Sequence, residues 1–140
     1  MSPQNLIDCS WGFGNDGCEG GEDWRAYDWI IKHGGIATED SYGPYLGEDG
    51  YCNFKKSTIG AKMSGYVNVT PNNTLALKMA LVNEGPIGVG FDAEDSFLFY
   101  SNGVYAGSDC SSDVGSLNHM ILIVGYGSIN GQDYWLAKNR

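Results

Sequence analysis

Glycine limits what this chain can become more than any other residue, with 21 spread over 140 positions. Inside a helix or strand glycine weakens the element, whereas at turns and helix ends it supplies angles that other residues resist. Glycine this dense argues for short elements joined by tight turns. The densest run, GFGNDGCEGG from Gly12 to Gly21, reads as a loop closing on two adjacent glycines. The stretch that follows, EDWRAYDWIIKHGG, repeats apolar residues at helical spacing through Trp24, Tyr27, Ile30 and Ile31. Glu22 and Asp23 suit the positive end of a helix there, and Lys32 and His33 before Gly34-Gly35 suit its negative end. His33 is therefore read as a helix C-terminal residue and not as a catalytic one.

From Ile36 to Lys56 the text is irregular and rich in Gly, Tyr and turn residues, and its composition shifts over Thr58 to Met63. A boundary near Ser57 to Lys62 follows, dividing a helix-and-loop part (1–60) from a mainly β part (61–140). In the second part YVNV (Tyr66 to Val69) reads as a strand, and NNTLALKMALVNEG as a helix stopped by Gly85 with Leu75, Met79 and Val82 on one face. IGVGF (Ile87 to Phe91), GVYAG (Gly103 to Gly107), HMILIVGYG (His119 to Gly127) and DYWLAKN (Asp133 to Asn139) read as further strands. The fold class is α+β.

Composition removes several functions. Eight Lys and Arg against 17 Asp and Glu leave a formal charge of -9, which repels phosphate backbones, so no nucleic-acid partner is expected. The longest apolar run is too short to span a bilayer, so no membrane partner is expected, and no basic stretch or apolar core marks a signal peptide at Met1. Cys9, Cys18, Cys52 and Cys110 form no C-x-x-C pair and lie far from His33 and His119 in spacing, so no metal or other cofactor is implied. Four cysteines allow three complete pairings, and spacing does not choose among them. Two sequons, at Asn68 and Asn72, are candidate glycosylation sites, and with the cysteines they point to a lysosomal or secreted protein.

One histidine stands out. His119 sits at the mouth of five apolar residues, Met120 to Val124. Such a run predicts a strand buried on both faces, with its first residue where core meets surface. A partly desolvated imidazole there exchanges a proton easily near neutral pH. A structural histidine with a satisfied hydrogen bond explains the position equally well.

Reading the blocks together decides between these. SPQNLIDCSWGFGNDGCEGG has the form S-x-Q-x-L-x-D-C…G-C-x-G-G, and NEGPIGVGFDA contains a G-P-I-x-V strand. SFLFYSNGVYAGSDCSS, LNHMILIVGYG and YWLAKN follow in order. The set resembles the papain family of cysteine proteases, in its cathepsin L-like branch, over nearly the whole chain. The wording of DCSWGFGNDGCEGGEDWRAY and DSYGPYLGEDGYC is similar to that of counting-factor-associated protein D-like peptidases. The resemblance implies a papain-like two-lobe fold, helical lobe plus antiparallel β-barrel-like lobe, forming one peptidase domain. It implies acyl transfer through a thioester, with His119 as general base and acid and Asn139 orienting the imidazole. Gly20 and Gly21 match glycines against which an extended substrate lies, and Gly90, Asn118 and Met120 match further substrate-binding positions. The implied partners are peptide or protein substrates and cystatin-like or propeptide inhibitors.

The resemblance also implies a Cys9–Cys52 disulfide, and partners for Cys18 and Cys110 outside the chain. Its nucleophilic cysteine belongs to a segment preceding the first block here. DCSW (Asp8 to Trp11) carries Cys-Ser-Trp where the family carries Ser-Cys-Trp, so Cys9 is rejected as nucleophile. Nothing of the family's final strands follows Asn139 except Arg140. The expectation is a fold incomplete at both ends, and a chain inactive by itself. SLNH and YWLAKN also resemble the silicateins, structural proteins in which serine replaces the nucleophile. A non-catalytic binding remnant is the third possibility. The residues encoded before Met1 discriminate among the three.

Overall fold

The computed structural model describes residues 1–55, 58–107 and 109–139. Ser57, at the start of the expected boundary, and Arg140 lie outside the described residues. Two compact units are present, Met1–Asn68 and Val69–Arg140.

The first unit is built on a helix that apolar periodicity does not reveal. Helix α1 (Pro3–Cys9) starts with proline in its first turn and with Ser2 as N-cap, whose hydroxyl accepts from the Asn5 amide at 3.1 Å. Its buried residues are mostly polar: Gln4, Asn5 and Asp8, with Ser2 and Ser10 at its ends. Burying polar groups costs free energy unless every one is bonded, and these are. Asp8 accepts from Gln4 Nε2 (2.7 Å), the Tyr42 hydroxyl (2.8 Å) and the Gly50 amide (3.0 Å). Gln4 also reaches Glu48 and Leu46, so one helix face ties down loop 46–50. Asn5 Oδ1 accepts from the Ala37 amide at 3.0 Å. The Cys9–Cys52 disulfide implied by the resemblance is present.

Helix α2 (Asp23–His33) forms as expected and stops at Gly34, whose φ of 79° lets its N–H turn back to Ile30 and Ile31. Its most buried residue is Trp29, which periodicity did not single out, whereas Trp24 is 43% exposed. The core joins Cys9, Trp29, Ile30 and Ile36, with Phe54 edge-on to Trp29. His33 stacks on Trp29 and its Nδ1 lies 2.8 Å from the Trp29 carbonyl, a structural role in keeping with its place at the helix end. Strand β1 (Ile36–Ala37) pairs antiparallel with β2 (Ile59–Ala61), and a one-turn helix α3 (Glu39–Tyr42) lies between them.

The second unit holds helix α4 (Thr74–Glu84), capped by the Asn73 side chain, and strands β3 (Ile87–Phe91), β4 (His119–Ile129) and β5 (Gln132–Lys138). The sheet is antiparallel in the order β3-β4-β5. Tyr66 to Val69 and Gly103 to Gly107, both read as strands from sequence, are irregular. Each is short and interrupted by Gly or Asn neighbours, and neither finds a ladder partner among the described strands. The face of α4 bearing Leu75, Met79 and Val82 is exposed, and Leu81 is the buried residue. Strand β4 alternates instead of being buried on both faces. Ile123 is buried, and His119 and Ile121 are half-buried, while Met120, Leu122 and Val124 are 36–39% exposed. Among the described residues the sheet stays three-stranded and open, so one face has no covering layer.

The buried knot on α1 makes two predictions. Asn5→Ala leaves the Ala37 amide without its acceptor and costs about 1–3 kcal/mol, measured as a lowered urea midpoint. Burial, with Asp8 contributing, pushes the Tyr42 phenol up to about 12, although the Asn53 amide pulls the other way. The neutral phenol is thus favoured by folding. Its contribution is complete below about pH 10 and lost as pH rises towards 12. Alkaline titration followed by circular dichroism checks this, and Tyr42→Phe should flatten that limb.

Candidate active site

The pairing of β4 with its two neighbours builds the site. The turn joining β4 to β5 is Asn130-Gly131, both with positive φ (52° and 82°), which suits a two-residue hairpin. From it the ladder runs Ile129 with Gln132, Tyr126 with Trp135 and Gly125 with Leu136, and then shifts by one residue, so that Ile123 pairs with Ala137. Val124 is the extra residue of this bulge. An unshifted ladder would set Asn139 opposite Leu122, on the face away from His119. The bulge sets it opposite Ile121, on the face shared by His119, Ile121 and Ile123. His119 Nε2 lies 2.8 Å from Asn139 Oδ1. An amide oxygen only accepts, so Nε2 carries the proton and Nδ1 is left for proton exchange.

Three of the other expected residues gather around His119. Gly90 pairs with Met120 and Phe91 with His119. A Cβ at Gly90 would come 2.8 Å from Leu117 Cδ1, so Leu117 covers the space beside Met120. Sequence reasoning passed over Leu117, an apolar residue in a turn, which only the strand register brings over Gly90. Asn118 folds its side chain back onto Ala93. Its Oδ1 accepts from the Ala93 amide at 2.8 Å and its Nδ2 donates to the Ala93 carbonyl at 3.3 Å.

Gly20 and Gly21 belong to the first unit. Gly20 has a φ of 120° and open space where a side chain would stand. At Gly21 that space is filled by the Asn15 side chain, whose Oδ1 accepts from the Glu22 amide at 2.9 Å. Asn68 and Asn72 are both exposed.

The surroundings of Cys18 disfavour attack by its sulfur. Desolvation, with the Asp49 carboxylate adding to it, pushes the Cys18 thiol up, which disfavours the thiolate. The Cys110 sulfur turns to the Asp92 carbonyl (3.6 Å) and the Tyr105 hydroxyl (4.0 Å). Among the described residues no three His, Cys, Asp or Glu are grouped to hold a metal, and no helix is long and apolar enough to cross a membrane.

The tautomer is directly measurable. Ring 15N shifts of neutral His119 should report the proton on Nε2, and Asn139→Ala should weaken that preference. Predominant Nδ1 protonation in the unmodified chain would contradict the geometry.

Comparison with known proteins places the chain in a family. The model of the papain family cysteine protease matches residues 1–140. A cathepsin L-like peptidase of Aedes aegypti is 47% identical over 141 residues, covering 99% of this chain and 41% of that protein. Digestive cysteine proteinase 3 of Homarus americanus is 48% identical over 140 residues, covering 99% and 42% respectively. The solved structure of digestive procathepsin L 3 from Tenebrio molitor larval midgut superposes with a TM-score of 0.91 at 42% identity, over 99% of this chain and 44% of that one. The chain therefore spans about two fifths of the length of its relatives. With the family's model matching the whole chain and a closely superposing fold, the chain belongs to the papain family of cysteine proteases, with cathepsin L-like relatives.

Proposed function

We propose that these 140 residues are part of a cysteine endopeptidase, in which His119 is the general base and acid and Asn139 orients it. The carrying observation is the 2.8 Å contact between His119 Nε2 and Asn139 Oδ1. It supports Nδ1 as the proton-exchanging nitrogen. In the proposed cycle a cysteine thiolate, ion-paired with protonated His119, attacks the scissile carbonyl carbon. The carbonyl π electrons move to oxygen, and the tetrahedral adduct collapses by expelling the amine, which takes the proton from His119 Nδ1. A thioester remains. Water then gives a proton to Nδ1 and attacks the thioester, releasing the carboxylic acid and regenerating the thiolate–imidazolium pair.

The nucleophile lies in a segment outside these 140 residues, as the family resemblance implies; Cys9 is in a disulfide, and the surroundings of Cys18 disfavour its thiolate. The chain alone is inactive. Gly20 and Gly21 bind the extended peptide backbone, while Gly90 and Met120 line a side-chain pocket and Asn118 borders it. Partners are peptide or protein substrates, a propeptide and cystatin-like inhibitors. The propeptide is supported by relatives solved as proenzymes. The disulfide and the exposed sequon asparagines support a lysosomal or secreted protein glycosylated at Asn68 and Asn72. The loop wording supports membership of the counting-factor-associated protein D-like subgroup.

In the complete protein, His119→Ala should lower kcat/KM for a peptide substrate by about 10²–10⁴-fold, and thiol alkylation should abolish turnover. Undiminished turnover in His119→Ala would sink the proposal, as would thiol-dependent hydrolysis by the purified 140-residue chain. A serine at the nucleophile's position in the preceding segment would replace this reading with a silicatein-like structural role.

A further inference from the structure

We propose that Asp92 is a positioning residue for His119, acting through the loop that leads into β4. The inference rests on the catalytic assignment of His119 made above.

Three consecutive residues at the end of β3 hold both ends of loop 110–118. Asp92 is only 4% exposed, and its Oδ2 accepts from the Ser111 amide at 2.7 Å. The Asp92 carbonyl accepts from the Cys110 thiol at 3.6 Å. Ala93 grips the other end of the loop through both polar atoms of the Asn118 carboxamide. Phe91 completes the grip, its carbonyl accepting from the Asn118 amide at 3.2 Å. The next residue is His119, whose backbone is paired with Phe91.

A buried carboxylate is costly to hold, because a charge away from water is strongly disfavoured unless compensated. Asp92 binds the Ser111 amide and also takes a hydrogen bond with the Glu94 carboxyl, whose pKa its charge raises. An apolar residue ending β3 would pack at lower cost. What Asp92 adds is direction. It holds the incoming side of the loop against the same turn that holds the outgoing side, so the chain enters β4 from a fixed point. The His119 ring must meet Asn139, which arrives separately from β5, and freedom in the loop would be felt as freedom of the ring. Asn118 and Asp92 thus act in series on one imidazole, and neither touches it.

The test uses the 15N-labelled 140-residue chain and reads the His119 ring nitrogens together with amide exchange, not turnover. Asp92→Ala should speed exchange of the Ser111 amide about tenfold and shift His119 from predominantly Nε2-protonated to a mixture of tautomers. Asp92→Asn keeps an acceptor for the Ser111 amide and should restore both readouts, which a general loss of packing would not do. Unchanged protection of β4 and β5 amides reports an intact sheet. Should Asp92→Ala fail to fold, Ser111→Pro removes the donor with Asp92 in place and should produce the same mixed tautomers. Unaltered His119 ring shifts, with the Ser111 amide freed in Asp92→Ala or its donor removed in Ser111→Pro, overturn the proposal. Failure of His119→Ala to affect the complete protein would overturn the catalytic assignment and leave this ring measurement interpretable by itself.

Discussion

The register of β4 against its two neighbours is the constraint on which the candidate site depends. β4 is the central strand, pairing with β3 over His119–Ile123 and with β5 over Leu122–Ile129. On one side the β3 pairing puts His119 opposite Phe91, at the sheet's end. On the other side the Asn130-Gly131 turn sets the pairing with β5, and the bulge at Val124 moves it by one residue. Because side chains alternate along a strand, that one-residue shift carries Asn139 from the wrong face to the face of His119. The hydrogen bond between them is the local result of pairing that starts about ten residues away.

The first unit solves a different problem by different means. Its organising helix buries amides, a carboxylate and hydroxyls; Gln4, Asn5 and Asp8 find partners in segments distant in sequence, while Ser2 and Ser10 bond locally. An apolar helix would bury its surface in many similar ways, whereas this one is satisfied only when residues 37, 42, 46, 48 and 50 occupy particular places. The disulfide from Cys9 to Cys52 adds a covalent tie on the same helix. The polar pattern S-x-Q-N-x-x-D-C is thus a packing device.

Much of the helical content and three of the five strands announced themselves locally. Asp23 to His33 carried acid, apolar period, base and glycine stop in the right order, and Thr74 to Glu84 had a capping asparagine and a glycine stop. Helix α1 was missed because apolar periodicity finds only apolar faces. Tyr66 to Val69 and Gly103 to Gly107 were mistaken for strands because β propensity counts for little without a partner strand. The apolar run after His119 was expected to be buried on both sides, yet Met120, Leu122 and Val124 face outwards, since burial depends on a covering layer and not on the residues themselves.

Sequence by itself determined the family, the candidate imidazole and the candidate amide, because the motif blocks occur as unbroken local text in a set order. It could not determine that His119 and Asn139 meet, which of the two ring nitrogens is protonated, or that the Asn118 side chain turns to Ala93. Those depend on hydrogen bonds between segments 20 to 25 positions apart in the chain. Only the tertiary structure decided them, because strand register, a bulge and a left-handed turn convert distance along the chain into a particular face and a particular atom.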